Sequence, residues 1–283
     1  MTTAQPFDPV PFHAFEHGGW ERAAEHYGDA FGALTIQAAP AMLDAVGLAR
    51  HQRLLDVACG PGFIAAAAAE GGADVVGLDF ARAMVAQARA RYPALTFREG
   101  DAEALPFEDA SFDAVVMNFG MLHLARPDQA IAEARRVLRP GGRYAFTVWA
   151  SPDKAVGFGM TLRAIEALGN KDVPLPEGPS FFRFSDPAET RRTLDAAGFS
   201  NVEVQELALT WRLSSADAMF AALSRGGVRT AAVLRAQTPA ALEAIRAAVR
   251  REAGSYATGG ELRLPMPAIL ASGTNDDAVA RRL

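Results

Sequence analysis

The stretch LLDVACGPGFIA, residues 54–65, decides the fold. A short apolar run leads to Asp56, a turn containing Gly60 and Gly62 follows, and an alanine-rich segment begins directly after it. Glycine permits a tight turn and lets a ligand approach the backbone at the positive end of a helix. The stretch therefore predicts a strand, a ligand-binding turn and a helix. A plain strand-to-helix connection is the alternative, because short glycine motifs alone are weak signals.

Outward from this turn, short apolar runs alternate with amphipathic segments between Arg53 and Trp149. One of these segments, PDQAIAEARRVL, places its apolar side chains on one face of a helix. Strands separated by helices of about a dozen residues form a parallel sheet with helices on both faces. The pattern predicts an α/β protein with a Rossmann-like, mostly parallel sheet.

Asp79 ends the second predicted strand, DVVGLDF, and lies 19 residues after Gly60. A carboxylate at this spacing can accept hydrogen bonds from the hydroxyl groups of a bound ribose, whereas the alternative is an exposed acid in a loop. Two nucleoside ligands fit, NAD and S-adenosylmethionine. The dinucleotide fingerprint G-x-G-x-x-G is matched only in part, because Ala65 stands at the third glycine. The spacing therefore leaves both ligands open.

Composition excludes several classes of protein. Of the 283 residues 50% are hydrophobic, enough for a large core, and no apolar run approaches the roughly 20 residues that cross a bilayer. The net charge of -5 argues against nucleic-acid binding, and one cysteine with five scattered histidines argues against disulfides and metal sites. The N-terminus lacks a secretory signal pattern. We expect a cytoplasmic protein with a small-molecule partner and no nucleic acid, metal or membrane insertion.

The segment DVACGPG resembles the D-x-G-x-G-x-G motif of class I S-adenosylmethionine-dependent methyltransferases. The similarity continues in order through VVGLDFARAMVAQARAR, REGDAEALPFEDASFDAVV and ARRVLRPGGRYAFTVWA, so that it covers residues 56–150. In these segments the chain is similar to the small-molecule branch (methyltransferase type 11), which includes ubiquinone and menaquinone biosynthesis methyltransferases. The resemblance implies S-adenosyl-L-methionine as cofactor and a seven-stranded sheet whose last strand is antiparallel. One departure is Ala58, where the family usually has glycine.

Carried over by position, the resemblance implies a set of contacts to the methionine portion of the cofactor, partly through backbone groups and water. The residues are Asp56, Ala58, Gly60, Gly62 and Asn118.

The same transfer gives contacts to the ribose and the adenine. Asp79 would accept from both ribose hydroxyls, with Phe80 and Met84 packing beside the adenine. Asp101 would accept from the adenine amino group, and the backbone of Ala102 would meet the ring edge. For Met84, ordinary core packing is the alternative.

Two further residues are candidates for the reaction. His123 follows the strand that contains Asn118, at the sheet edge where ligands bind, so it is the candidate general base. Packing between its leucine neighbours, or simply lining the pocket, is the alternative. Tyr27 is similar to the aromatic residue with which related enzymes close over the cofactor, and packing is equally open for it. We expect His13, His17 and His26 to lie at the surface.

The pattern of residues changes along the chain and divides it into a core and added segments. We predict an N-terminal lid of short helices over 1–50, a cofactor-binding core over 51–211, a helical insertion over 212–260 that serves as a lid or homodimer surface, and a final core strand with a tail over 261–283. The prolines at 265 and 267 favour an edge position or an irregular strand for that last run.

Function follows from the cofactor and from the added segments. Methyl transfer from a sulfonium is an in-line displacement that depends mainly on positioning the acceptor. The added segments carry many aromatic residues, which favours a small apolar or aromatic acceptor, although these rings could also pack the lid: Phe12, Phe15, Trp20, Phe181, Phe182, Phe184, Trp211 and Phe220. The alternatives are an RNA or protein methyltransferase, or a protein that binds the cofactor without catalysis.

Overall fold

The structure is a computed structural model that describes residues 7–276. The prediction that the N-terminus lacks a secretory signal falls partly on residues 1–6, and the predicted tail falls on residues 277–283. Both stretches lie outside the described residues. Within the described residues, no helix is both long and apolar enough to cross a membrane.

Strands of the described region form two sheets. In chain order the strands are β1 (Arg53–Val57), β2 (Asp74–Asp79), β3 (Thr96–Glu99), β4 (Phe112–Asn118), β5 (Leu138–Trp149), β6 (Ser200–Leu207), β7 (Thr210–Leu213), β8 (Ala257–Thr258), β9 (Glu261–Pro265) and β10 (Ala268–Thr274). The main sheet has seven strands in the order β3-β2-β1-β4-β5-β10-β6, and β10 is antiparallel to both of its neighbours. The predicted fold class, with its antiparallel last strand, is confirmed.

Helices surround the main sheet, and the first three of them belong to the N-terminal segment. They are α1 (Pro9–Tyr27), α2 (Ala33–Thr35), α3 (Ala39–Ala45), α4 (Phe63–Glu70), α5 (Arg82–Arg91), α6 (Pro127–Val137), α7 (Val156–Leu168), α8 (Pro187–Ala196), α9 (Ala216–Arg225), α10 (Arg229–Arg235) and α11 (Pro239–Ala253). Their starts follow local signals. The side chains of Asp186, Ser215 and Thr238 accept backbone hydrogen bonds at the first turns of α8, α9 and α11.

Strand β1 shows how the sheet is buried on both faces. Leu54 and Leu55 are fully buried, and they belong to two different apolar clusters because successive side chains of a strand point to opposite faces. Leu54 shares its cluster with Ile64 of α4, and Leu55 pairs with Val115 of β4. Burying one such side chain stabilises the fold by about 1.5–3 kcal/mol. The central strands therefore form a rigid base for the loops at their carboxyl ends.

The two prolines favour an edge position or an irregular strand for the final apolar run. The structure instead divides this run into two strands. Residues before Met266 form β9, which pairs with β7 in a separate three-stranded sheet. Residues after Pro267 form β10, which lies between β5 and β6 inside the main sheet. The physical reason is that both prolines lie outside β10, so they remove no hydrogen bond from its ladder. The segment that contains β6 and β7 is likewise divided between the two sheets, with β6 in the main sheet and β7 in the small one.

The N-terminal segment is a long helix, so the prediction of short helices there is wrong. α1 has 19 residues, and helical backbone continues through a π turn at Gly28–Gly32 and a 3-10 turn at Ile36–Ala38 to the end of α3. Gly19 allows α1 to cross the segment before α10 closely, because a Cβ at Gly19 would lie 2.3 Å from Val228 Cγ1. Helices α9 to α11 complete the layer that covers the sheet edge beside α1 and α7.

Candidate active site

The turn after β1 is held against the end of β2. Ala58, Gly60 and Gly62 have left-handed backbone conformations, with φ values of 53°, 52° and 85°. The Gly60 N–H donates to Asp79 Oδ2 over 2.8 Å. The nearest heavy atom to a Cβ built at Gly60 is Cε1 of Tyr27 at 4.0 Å, so the space before the turn is open. The turn therefore presents bare backbone to a ligand.

Ala58 stands where the motif usually has glycine, and Gly120 accommodates it. A left-handed conformation costs a residue with a side chain about 1–2 kcal/mol. A Cβ at Gly120 would lie 2.6 Å from the Ala58 Cβ. The absence of a side chain at Gly120, directly after β4, thus leaves room for the methyl group of Ala58.

Asp79 is buried at the end of β2 with both carboxyl oxygens occupied by backbone donors. Oδ2 accepts from the Gly60 N–H at 2.8 Å, and Oδ1 accepts from the Ala81 N–H at 2.9 Å. Burial raises the pKa of Asp79 to about 6, although these hydrogen bonds favour the ionised form. Each oxygen retains a lone pair, so the carboxylate can still accept from ligand hydroxyl groups.

Asp56 is fully buried at the end of β1 and has one oxygen without a partner. Oδ2 accepts from the Ala65 N–H at 2.9 Å, whereas Oδ1 has no hydrogen-bond partner among the described residues. Burial, with a smaller contribution from the nearby Asp79 carboxyl, raises the pKa of Asp56 to about 8. An unpartnered acceptor beside an open glycine turn fits the cationic amino acid end of S-adenosylmethionine.

The residues predicted to bind the cofactor line one cavity, with one exception. The lining residues are Tyr27, Asp56, Ala58, Gly60, Asp79, Phe80, Met84, Asp101, Ala102 and Asn118. Gly62 faces the other way, since a Cβ there would lie 2.8 Å from the Phe97 ring. Its place at the start of α4 gives it a structural role in the turn. Met84 lines the cavity and is also part of a small apolar cluster with Ala24 and Ala81.

Two histidines of α1 lie beside Phe80, and one of them, His13, lines the cavity. The Nε2 of His13 donates to Asp101 Oδ2 at 2.9 Å, and Asp101 Oδ1 accepts from the Glu103 N–H. The rings of His13 and His17 contact Phe80 edge-on, at centroid distances of 5.8 and 5.3 Å. Both side chains are partly exposed, as the prediction of surface positions held, but the contacts with Phe80 and Asp101 were not predicted. Their spacing of one helical turn was the available signal for a shared face.

Asn118 and Tyr27 connect the N-terminal segment to the end of β4 through Thr35. Asn118 Nδ2 donates to the Thr35 carbonyl at 3.2 Å, and Tyr27 Oη donates to Thr35 Oγ1 at 3.3 Å. Asn118 Oδ1 accepts from Thr147 Oγ1 at 2.7 Å. Burial raises the pKa of Tyr27 to about 12, so its hydroxyl stays protonated near neutral pH. This network fixes the segment over the glycine turn.

His123 lies in the same cavity and is held by two charged residues that sequence reasoning missed. Its Nδ1 is 2.9 Å from Glu16 Oε2, and Glu16 Oε1 is 2.7 Å from Arg229 Nε. Glu16 is completely buried. Burial alone would raise the pKa of Glu16, but His123 and Arg229 outweigh it and hold this pKa below its usual value. Glu16 is therefore ionised at neutral pH.

The end of the cavity around His123 is lined by aromatic rings. Of the eight aromatic residues predicted for an acceptor pocket, Trp20 and Phe181 line the cavity. Phe12, Phe184, Trp211 and Phe220 are buried in the core, as the packing alternative held. Additional rings line the cavity without having been predicted: Phe31, Phe63, Phe119, Trp149 and Phe158. The cavity thus joins an acidic, glycine-rich end to an aromatic end. No group of three or more metal-ligating side chains occurs within residues 7–276.

Comparison with known proteins identifies the family of this chain. Residues 55–146 match the family model described as a methyltransferase domain. The chain is 35% identical to a demethylmenaquinone methyltransferase of Renibacterium salmoninarum over 175 residues, which covers 59% of this chain and 74% of the relative. It is 32% identical to a malonyl-[acyl-carrier protein] O-methyltransferase of Enterobacter lignolyticus over 207 residues, covering 73% and 76%.

Solved structures agree in fold. The YcgJ protein of Bacillus subtilis aligns with a TM-score of 0.56 at 21% identity, over 85% of this chain and 99% of that one. Phosphoethanolamine N-methyltransferase 2 of Haemonchus contortus, in complex with S-adenosyl-L-methionine, aligns with a TM-score of 0.57 at 19% identity, over 94% and 60%. With the extent of identity to the named relatives, these findings show that the chain belongs to the S-adenosylmethionine-dependent methyltransferases.

Proposed function

We propose that this methyltransferase acts on a small, apolar or aromatic acceptor by in-line methyl transfer. The observation that carries the proposal is the aromatic end of the cavity, which is continuous with the glycine turn. Apolar pockets with a few convergent polar groups are typical of small-molecule sites. The relatives named for demethylmenaquinone and for malonyl-[acyl-carrier protein] support an acceptor that is not a nucleic acid.

The acidic end of the cavity would hold the cofactor. S-adenosylmethionine supplies a methyl group already activated on a sulfonium. Asp79 would accept from the ribose hydroxyls, and Asp56 Oδ1 would gain the donor that it lacks. Phe80 and Met84 would pack beside the adenine, Asp101 and Ala102 would contact its edge, and Asn118 would face the methionine portion.

The aromatic end would position the acceptor and exclude water. The Trp20 and Phe181 rings contact His123 edge-on at centroid distances of 4.7 and 5.8 Å, so the imidazole has a fixed plane. We propose His123 as general base for an acceptor that must lose a proton. General acid–base catalysis by a positioned side chain contributes about 10²–10⁴-fold.

The added segments would act as lids. α1 is attached to the cofactor end through Glu21, whose carboxylate accepts from the Arg82 N–H at 2.6 Å and the Ala83 N–H at 3.2 Å. Residues 212–260 contribute Leu223, Val228 and Thr230 to the aromatic end of the cavity. Bound ligands would thus lie between the sheet edge and two covering segments.

Isothermal titration calorimetry and labelled methyl transfer test this proposal. S-adenosylmethionine and its demethylated product should both bind, and Asp79→Asn should weaken binding by about 10–100-fold because a charged acceptor of two hydrogen bonds is lost. Asp74→Asn, at the exposed start of β2, is the matched control and should leave the Kd unchanged.

Label from the methyl group should then enter a small molecule of a metabolite extract. RNA and protein fractions are offered in parallel, and label found only in RNA or only in protein would contradict the acceptor class. Cofactor binding with no label in any fraction would favour a non-catalytic binding protein.

A further inference from the structure

Three ionisable side chains meet beneath the aromatic end of the cavity. Glu16 of α1 forms two hydrogen bonds. Its Oε2 lies 2.9 Å from His123 Nδ1, and its Oε1 lies 2.7 Å from Arg229 Nε. The side chain of Glu16 is 0% exposed, and those of His123 and Arg229 are 15% and 18% exposed. A buried carboxylate is costly unless it is paired and hydrogen-bonded on both oxygens. Here both oxygens are satisfied.

Arg229 is itself fixed from three sides. Its Nη1 donates to the Pro179 carbonyl at 2.9 Å, and its Nη2 donates to the Leu122 carbonyl at 2.7 Å. The guanidinium carbon lies 4.5 Å from the centre of the Phe12 ring. Arg229 also lines the cavity, but its positive charge is balanced by the Glu16 carboxylate. The ion pair therefore carries no net charge toward an acceptor.

These contacts determine which nitrogen of His123 carries the hydrogen. Ionised Glu16 can only accept, so Nδ1 must be the donor. In the neutral imidazole, Nε2 then holds the free lone pair. This nitrogen has no hydrogen-bond partner among residues 7–276, and the ring lines the cavity. His123 is therefore set to receive a proton from a ligand at Nε2.

We propose that Glu16, held by Arg229, is a positioning residue for His123, and that the acceptor is an uncharged aromatic hydroxyl compound methylated on oxygen. This rests on the proposed function and narrows its acceptor class. As the oxygen–carbon bond forms, the hydroxyl proton passes to His123 Nε2. The carbon–sulfur bond of the donor breaks, and its electron pair stays on sulfur. The imidazolium formed is stabilised by the Glu16 carboxylate.

The choice of a hydroxyl follows from what a base contributes. A phenol ionises only near pH 10, so near neutral pH it gains from a group that removes its proton, whereas a neutral amine can attack with its own lone pair. The aromatic walls fit a flat ring, and Glu16 balances the charge of Arg229, so the cavity offers no net positive charge from this pair to a carboxylate. In a hydroxyl group, the same oxygen carries the proton that His123 would remove and the lone pair that would attack the methyl carbon.

The test compares two probes that differ in acidity, 2-naphthol and 1-nitro-2-naphthol, with Glu16→Gln. We expect the variant to reduce kcat for 2-naphthol by about 100-fold, within the range of a general base, with KM and cofactor Kd changed less than about twofold. For the nitro compound, which is ionised at the assay pH, kcat should fall less than about threefold. Glu25→Gln, an exposed position on the same helix, is the control and should match the unmodified protein.

A second readout does not depend on turnover. In Glu16→Gln, Arg229 can only donate, so the amide oxygen turns toward Arg229 and the amide NH₂ toward His123. Nδ1 must then accept, and the hydrogen moves to Nε2. Nitrogen-15 NMR of His123, assigned with His123→Gln, should show Nδ1–H in the unmodified protein and Nε2–H in Glu16→Gln.

Several results would overturn the proposal. They are an unchanged tautomer in Glu16→Gln, equal losses of kcat for both naphthols, and ring-methylated instead of ether products. Failure to methylate either naphthol, while label enters another molecule of a metabolite extract, would reject the acceptor class and leave the proposed function standing. Failure of the cofactor to bind in calorimetry would reject the proposed function itself. If Glu16→Gln does not fold, His123→Gln gives the same comparison of naphthols.

Discussion

At the scale of single residues, the glycine turn and its neighbours depend on small side chains in two places. Ala58 has a left-handed conformation that favours glycine, and Gly120 leaves the space for its methyl group. The two positions are 62 residues apart in sequence. The turn itself could be predicted from local residues, whereas the complementary glycine could not.

Gly120→Ala tests this pairing. The new Cβ would meet the Ala58 Cβ at 2.6 Å and Met117 Cγ at 2.8 Å, so we expect the free energy of unfolding to fall by about 1–3 kcal/mol. Adding Ala58→Gly should recover part of the loss. Urea unfolding measures both. Gly254→Ala, where a Cβ would meet no atom within 4 Å, is the control, and an equal loss there would contradict the explanation.

At the scale of elements, α1 carries one stripe of residues to the cavity. His13, Trp20 and Tyr27 are each two helical turns apart, and all three line it. The spacing from Trp20 to Tyr27 is visible in the sequence. The burial of Glu16 is not, because it depends on Arg229, which is 213 positions away.

Glu21→Ala tests how α1 is attached. Glu21 caps the first turn of α5, whose own N-cap position, Ala81, offers no side-chain acceptor. Loss of such a cap costs about 1 kcal/mol. We expect the free energy of unfolding to fall by about this amount, with faster hydrogen exchange at the Arg82 and Ala83 amides. Exchange equal to that of Glu25→Ala, at an exposed position of the same helix, would contradict the attachment.

At the scale of the whole molecule, the alternation of strands and helices predicted the fold class, but it did not predict the sheet order. The residues proposed for the cofactor came from the family resemblance, and most of them line one cavity. Strand β10 takes an interior place because it pairs with β5 and β6, which are distant in sequence. Proline positions could not reveal these partners. The acceptor end was predicted least well, since its rings come from the turn after β4, from β5, from α7 and from the covering segments. Which ring lines a cavity depends on how these elements meet.

Two buried acids should also make the stability of the ligand-free protein depend on pH. The pKa values of Asp79 and Asp56, about 6 and about 8, exceed the unfolded value of 3.8, so the folded state binds protons more strongly. Their contribution to stability is fully present below pH 3.8 and is lost as pH rises through 6 and 8. We expect the Tm to fall between pH 5 and pH 9, as roughly set by these two values.

Scanning fluorimetry measures this trend. The lowered pKa of Glu16 has the opposite sign, but it acts below its usual value of 4.5 and is constant over this range. Asp56→Asn should flatten the upper part of the curve. A Tm that is independent of pH between 6 and 9 in the unmodified protein would show that Asp56 is ionised throughout.

The same acid pair gives the site a way to distinguish what enters from what leaves. Near neutral pH the raised pKa of Asp56 favours its protonated form in the ligand-free protein, whereas Asp79 is mostly ionised. A cationic donor bound beside Asp56 would favour loss of that proton, so binding of the donor would release it to solvent. Once the methyl group has left, the sulfur is neutral and this part of the attraction is gone. The spent molecule would therefore be held less tightly by Asp56 than the donor.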